Sequence, residues 1–292
     1  MKSNIDHFFN HHVFVHTHIE KCGGSSLSHH MTTLFGDDHF CDLRPYPAMS
    51  ALKILKCYPE VREKMPRIQV LSGHIRYHSL WGTLFPCQGR FNRFVLAMLL
   101  LRHRYQGIFG VKSGHFIDKW LSHYRKKPLY IASIRHPISR LESLFRYIRT
   151  RPEHGSYNQY VENNDFDGFI QHLMDTHSFR IRSEMCMMFS GQRQTSNLLA
   201  DAKRIVDEQY FAVVPYDRTH ELANMMAEVF QRPFVSAEII NASAVSEKAH
   251  ATGKTRSLLE KACADDIQLY EYIMGRYAEK LNRAREQLKR QV

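Results

Sequence analysis

No stretch of this sequence is apolar for long enough to cross a bilayer. The most apolar window, Phe94 to Leu101, holds eight residues, against roughly 20 for a membrane span; it reads as a buried or interfacial segment. The first ten residues, MKSNIDHFFN, lack the apolar core of a secretory leader. No C-x-x-C pair occurs among Cys22, Cys41, Cys57, Cys87, Cys186 and Cys263, which argues against a zinc knuckle and against a dense disulfide scaffold. Reduced thiols are the simplest expectation. Internal repeats and low-complexity tracts are missing too. These absences point to a cytoplasmic chain, or to one whose anchor has been trimmed, with a basic surface able to meet a membrane.

Acidic residues are the minority. The 29 Asp and Glu against 40 Lys and Arg leave a net charge of +11 and a pI near 9.4. Such a surplus calls for an acidic partner: nucleic acid, an anionic membrane, a polyanionic glycan or a phosphate-bearing cofactor. Charge alone does not choose among them. With 292 residues, 43% of them apolar, the chain can build a sizeable core.

Periodicity supplies the elements. Residues 12–16 (HVFVH) read as a short buried strand, followed by Gly23-Gly24-Ser25-Ser26 and a helix with Leu27, Met31 and Leu34 on one face. Residues 68–72 and 128–134 read as two further strands, the second buried throughout. Pro137 sits where it can open a helix whose stripe is Ile138, Leu141, Leu144, Phe145 and Ile148. Residues 209–214 make a fourth strand closed by Pro215, with a helix from about 218 to 230 and strong helical character from about 256 to 288. Alternating strands and helices predict a three-layer α/β fold, P-loop-like, with a mainly parallel central sheet between helices. Ligands bind such sheets at the carboxyl ends of the strands, so residues 17–26, 73–76 and 135–143 should converge. One domain is expected over 1–292. Residues 85–127 stand apart: between 90 and 127 lie nine Lys or Arg and one acid, Asp118, with aromatics interleaved. This is either a basic helical insertion that meets an anionic acceptor or an amphipathic insertion with a core of its own.

Two local patterns carry chemistry. In the run from His16 to Leu27 (HTHIEKCGGSSL), a glycine pair lets the backbone approach an anion, and the following helix offers unsatisfied N–H groups at its positive end. Ser25 and Ser26 can add hydroxyl donors, and Lys21 a point charge. A nucleotide-kinase loop, G-x-x-x-x-G-K-[ST], has its Lys after the glycines, whereas Lys21 precedes them. The second pattern, SIRHPISRLESLF over 133–145, ends a strand at Arg135. Arg140 and Ser143 are three apart, which puts them on one face of the helix. An Arg fork with a hydroxyl beside it suits a terminal phosphate.

Together the motifs resemble the sulfotransferase superfamily that uses 3′-phosphoadenosine-5′-phosphosulfate (PAPS), most closely the branch containing heparan sulfate 2-O-sulfotransferase and related carbohydrate enzymes. FVHTHIEKCGGSSL is similar to that family's F-V-H-x-P-K-T-G-G-S-S, and SIRHPISRLES to its I-R-D-P-x-x-R-x-x-S. Weaker likenesses follow in Tyr210–Arg218, Ile240–Ser243 and Asp266–Tyr272. The resemblance implies a PAPS-dependent O-sulfotransferase. It assigns Lys21 to the phosphosulfate, Cys22, Gly23, Gly24, Ser25 and Ser26 to the 5′-phosphate, and Arg135 and Ser143 to the 3′-phosphate. Glu20 replaces the usual Pro and His136 the usual Asp. In that branch a Gly-His pair ending a strand carries the catalytic base, which here is Gly73-His74; His18 and Glu20 are the alternatives. His16 and His18 alternate on one strand and lack a third ligand at defined spacing, so no metal is expected. The implied partner is a hydroxyl acceptor, with a sugar favoured by the branch.

Three other readings remain at this stage: a nucleic-acid binder using residues 85–127, a nucleotide kinase, and a family member that binds nucleotide without transfer. No helix-turn-helix, RNP or zinc pattern supports the first.

Overall fold

The computed structural model describes residues 2–43, 59–64, 67–74, 127–151, 161, 165–176, 179–191, 197–234, 251 and 253–292. The expected insertion at 85–127, apart from Lys127, and the Ile240–Ser243 segment lie outside these residues, as do Cys57 and Cys87.

Helix α1 (Lys2–His11) runs directly into β1 (His12–Thr17). Then come α2 (Gly24–Phe35), β2 (Phe40–Asp42), α3 (Pro59–Lys64) and β3 (Val70–Gly73). Next are β4 (Lys127–Ile134), α4 (Pro137–Arg149), α5 (Phe166–Thr176), α6 (Phe179–Arg182), α7 (Glu184–Ser190) and α8 (Leu198–Gln209). Strand β5 (Tyr210–Pro215) passes through a 3-10 turn (Tyr216–Arg218) into α9 (Thr219–Phe230), and α10 (Gly253–Ala262), α11 (Ala264–Met274) and α12 (Tyr277–Gln291) follow.

The five strands form one parallel sheet in the order β2-β3-β1-β4-β5. The expected α/β architecture is therefore present. Phe14 stands opposite Val70 on one side and Leu129 on the other. Successive residues of β1 feed opposite layers, as a period of two requires. Val13 and Val15 join α7, α8 and α11 in one core, while Phe14 joins α1, α2, α9 and α12 in another. Because both faces are covered, the strand reads as an unbroken apolar run.

The sequence reading missed α1, although Ile5, Phe8 and Phe9 have helical spacing. Phe8 and Phe9 sit 5.5 and 5.0 Å from the Phe230 ring, and Phe14 and Phe35 complete the aromatic cluster. Each such burial contributes about 1.5–3 kcal/mol, so packing on α9 holds a helix that propensity alone would leave marginal. Strand β2 was also missed; three residues are too few for a periodic signal.

The predicted stripe of α4 is buried as a unit, but against α5 and α10 rather than the sheet. The result is a helical block beside the carboxyl ends of the strands. Among the described residues no helix is long and apolar enough to cross a membrane, and Cys22, Cys41, Cys186 and Cys263 are buried free thiols.

Candidate functional site

The carboxyl ends of β1, β3, β4 and β5 carry the loops in which the predicted residues lie. The chain leaves β1 still tied to its neighbour: His18 N–H donates to the Gly73 carbonyl at 2.8 Å. It then turns through Ile19–Gly23, where Lys21 has φ +62° and Gly23 φ +76°. Left-handed geometry is costly for a lysine and free for a glycine. Gly23 is the N-cap of α2, and no side chain caps this helix. The start of a helix carries a partial positive charge that favours an anion placed there. Ser26 is buried and Ser25 half-buried in the same turn.

Cys22 is turned inward. Burial pushes its thiol up to about 12, and the sulfur faces the Arg135 backbone. The whole residue is buried, so Cys22 shapes the loop from within.

The Arg135 guanidinium lies over the Tyr216 ring, 4.4 Å from its centroid, and its Nε is buried with no hydrogen-bond partner. Tyr216 also meets the other motif. A Cβ added to Gly23 would lie 2.9 Å from both the Cβ and the carbonyl oxygen of Tyr216. The two sequence motifs are therefore neighbours across a single tyrosine.

Arg140 does not join them, contrary to the expectation that it shares a ligand-facing side with Ser143. It is 1% exposed, with Nη1 2.8 Å from Glu184 Oε2, close enough to pair although too oblique for a hydrogen bond. Two positions three apart differ by about 60° around a helix axis, enough for Arg140 to enter the core while Ser143 stays at its margin.

Lys21 Nζ sits 3.8 Å from the centroid of the Tyr147 ring, which Arg151 shares at 4.5 Å. Tyr147 is four residues beyond Ser143 on α4, hence on the same face. Burial, opposed by Glu20 and reinforced by Arg135, Arg151 and Arg146, lowers the Lys21 ammonium to about 8. These causes locate Lys21 among three arginines, with Glu20 as the compensating charge. The acid that stands where relatives have proline thus favours the protonated lysine.

His74 is exposed at the end of β3, and its Nδ1 lies 2.9 Å from the His18 carbonyl. A carbonyl only accepts, so Nδ1 carries the hydrogen and Nε2 of the neutral ring keeps its lone pair. The His18 ring lies 4.8 Å from that of His74. His16 is fully buried, with Nδ1 2.9 Å from Ser72 Oγ and 3.4 Å from Ser28 Oγ, and takes part in the core rather than an open site. No group of three potential metal ligands occurs among the described residues. His136 is half-buried against Tyr270, ring centroids 5.4 Å apart, and burial lowers its basicity.

Tyr147, Arg146 and Arg151 were not among the residues read from the sequence, and Tyr216 entered only within the weak likeness over Tyr210–Arg218. The one signal for Tyr147 is its four-residue spacing from Ser143. A cavity of about 350 Å³ beside β2, lined by Thr32, Asp37, Phe40, Cys41, Asp42, Glu60 and Lys64, shares none of these groups.

What the edge can do chemically is bind a ligand with two separated anionic ends and offer an imidazole nearby. The sequence matches the family described as "Sulfotransferase family" over residues 7–273. No curated protein matches the chain.

Proposed function

The chain belongs to the sulfotransferase family, and we propose that it moves a sulfuryl group from PAPS to a hydroxyl on a carbohydrate by in-line displacement. The observation that carries this reading is the adjacency of the two motifs: Gly23 and Arg135 pack against the same Tyr216. A doubly phosphorylated nucleotide needs two anion sites a few ångströms apart.

The residues fit PAPS chemically. The start of α2, with Gly23, Gly24, Ser25 and Ser26 and with Cys22 buried beneath the loop, suits the 5′ end. Arg135, with its buried unpartnered Nε, and Ser143 suit the 3′-phosphate. When bound, PAPS supplies the activated sulfuryl group. Lys21 puts a positive charge on the side where negative charge develops on the leaving phosphate, a fixed electrostatic contribution that needs no reorganisation during the reaction. His74 Nε2 takes the proton of the acceptor hydroxyl, with its ring held by the His18 carbonyl. No metal is needed for these roles.

The sugar acceptor is favoured by the likeness of both motifs to the carbohydrate branch. The free buried thiols favour a reducing compartment, in keeping with a cytoplasmic protein. We take residues 1–292 as one domain with its insertion at about 85–127.

The deciding experiment is calorimetry with 3′-phosphoadenosine-5′-phosphate (PAP) against ATP. Binding of PAP without binding of ATP is expected; equal binding, or none, overturns the reading. A transfer screen with radiolabelled PAPS over glycans then identifies the acceptor.

A further inference from the structure

Tyr216 lies against both motifs, and neither motif predicts it. It follows Pro215, which ends β5, and opens the 3-10 turn that leads to α9. Its main chain and Cβ leave no room for a side chain at position 23: an added Cβ would meet Tyr216 Cβ and O at 2.9 Å, a distance real Cβ atoms essentially do not occupy, and Cα at 3.1 Å. Gly23 is thus required twice, by its φ of +76° and by the closeness of Tyr216.

The ring does a second job. A guanidinium over an aromatic face is attracted to the ring and keeps its in-plane N–H donors directed away from it. Arg135 is the residue so held, with Cζ 4.4 Å from the ring centroid. An arginine has four side-chain torsions, and without a surface to lie on it would sample many positions before meeting an anion. Ordering a long side chain at the moment of binding costs affinity. The stack removes that freedom in advance.

We infer that Tyr216 is a positioning residue that holds the Arg135 guanidinium and the Gly23 turn in one register, so that both phosphate-bearing ends of the nucleotide are recognised together. The inference rests on the nucleotide reading above. It adds that selectivity for a 3′-phosphate depends on an aromatic ring that need not touch that phosphate. Tyr216 is half-exposed, so replacement should not open a core cavity.

The test compares PAP with adenosine 5′-phosphate, which lacks the 3′-phosphate. Calorimetry is run on the full chain as wild type, Tyr216→Phe, Tyr216→Leu and Tyr216→Gln, with circular dichroism melting as the folding control. Tyr216→Phe keeps the ring and should keep the preference for PAP. Tyr216→Leu and Tyr216→Gln should weaken PAP at least tenfold and adenosine 5′-phosphate much less, so that the preference collapses. In an Arg135→Lys background, which removes the fork, Tyr216→Leu should have little further effect on PAP, the non-additivity expected of groups acting as one unit. An unchanged preference in folded Tyr216→Leu overturns the inference, as does equal weakening of both ligands. Loss of folding in both the Leu and Gln variants assigns the residue to the fold alone and also overturns it. If wild type binds neither ligand, the nucleotide reading fails, a result distinct from selective loss in the variants.

Discussion

His74 donates its Nδ1 hydrogen to the carbonyl of His18 at 2.9 Å. The acceptor is a backbone atom of the residue that follows β1 and leads into the glycine turn. The proposed base and the proposed anion site therefore share one short segment, His18 to Gly24.

Replacing His74 tests the base directly. His74→Ala should lower kcat by about 10²- to 10⁴-fold and leave PAP affinity within about twofold of wild type, since the ring is not part of the anion cradle. Steady-state kinetics with calorimetry would check this. Near-normal turnover removes His74 from the role and turns attention to His18 and Glu20.

Lys21 should make activity fall at alkaline pH. A lysine lowered to about 8 by burial first, with Arg135, Arg151 and Arg146 adding to it against Glu20, is charged below that value and neutral above it. kcat/KM for the nucleotide, which reports the free enzyme, should fall as pH rises through about 8. Lys21→Arg keeps its charge through this range and should flatten the fall, whatever its absolute rate. A wild-type profile level across that region contradicts the assignment.

Gly24→Ala should impair catalysis through His18. A Cβ at position 24 would lie 1.5 Å from His18 Cδ2, so the imidazole must move. Because the His18 carbonyl holds His74, kcat should drop at least tenfold. Gly36→Ala, where an added Cβ meets nothing within 4 Å but φ is +85°, should cost stability alone, about 1 kcal/mol, read from melting curves. The reverse pattern rejects the coupling.

Asp266 ties stability to acidity. It is fully buried and accepts the N–H groups of Met185 and Cys186 at 3.0 and 2.9 Å, serving as a remote cap for α7. Burial, partly offset by these hydrogen bonds, raises its carboxyl to about 6 from an ordinary 3.8. The folded state therefore holds the proton more tightly than the unfolded one. The contribution is present below the unfolded value and lost as pH rises through about 6. Relative to Asp266→Asn, wild type should lose stability on the order of 3 kcal/mol between these limits. Urea unfolding at a series of pH values checks this; a difference constant with pH contradicts it.

Much of this was legible because the signals were local. The buried strand from Val13 to Val15, the glycine pair and the Pro137 helix start each declare themselves within a few residues. Arg135 at a strand end could be read the same way. What escaped depends on contacts far along the chain. Nothing near Tyr216 says that a glycine from residue 23 will press against it, and nothing near Tyr147 names Lys21 as its neighbour. Arg140 looked like a ligand contact because a buried arginine requires a distant partner, Glu184, that spacing does not reveal. The single helical stretch read at 256–288 is three helices, interrupted after Ala262 and again at Gly275-Arg276. A continuous apolar stripe conceals such breaks, which change the direction of the axis without changing the pattern.

Cys22 occupies the heart of the loop, yet its sulfur is sealed beneath the Arg135 backbone and raised to about 12. Thiolate, not thiol, reacts with electrophiles. Iodoacetamide or a maleimide should therefore leave Cys22 of the folded protein unmodified, and hydrogen peroxide should not oxidise it. A thiol at the centre of the glycine turn is chemically quiet, guarded by the packing that seals it.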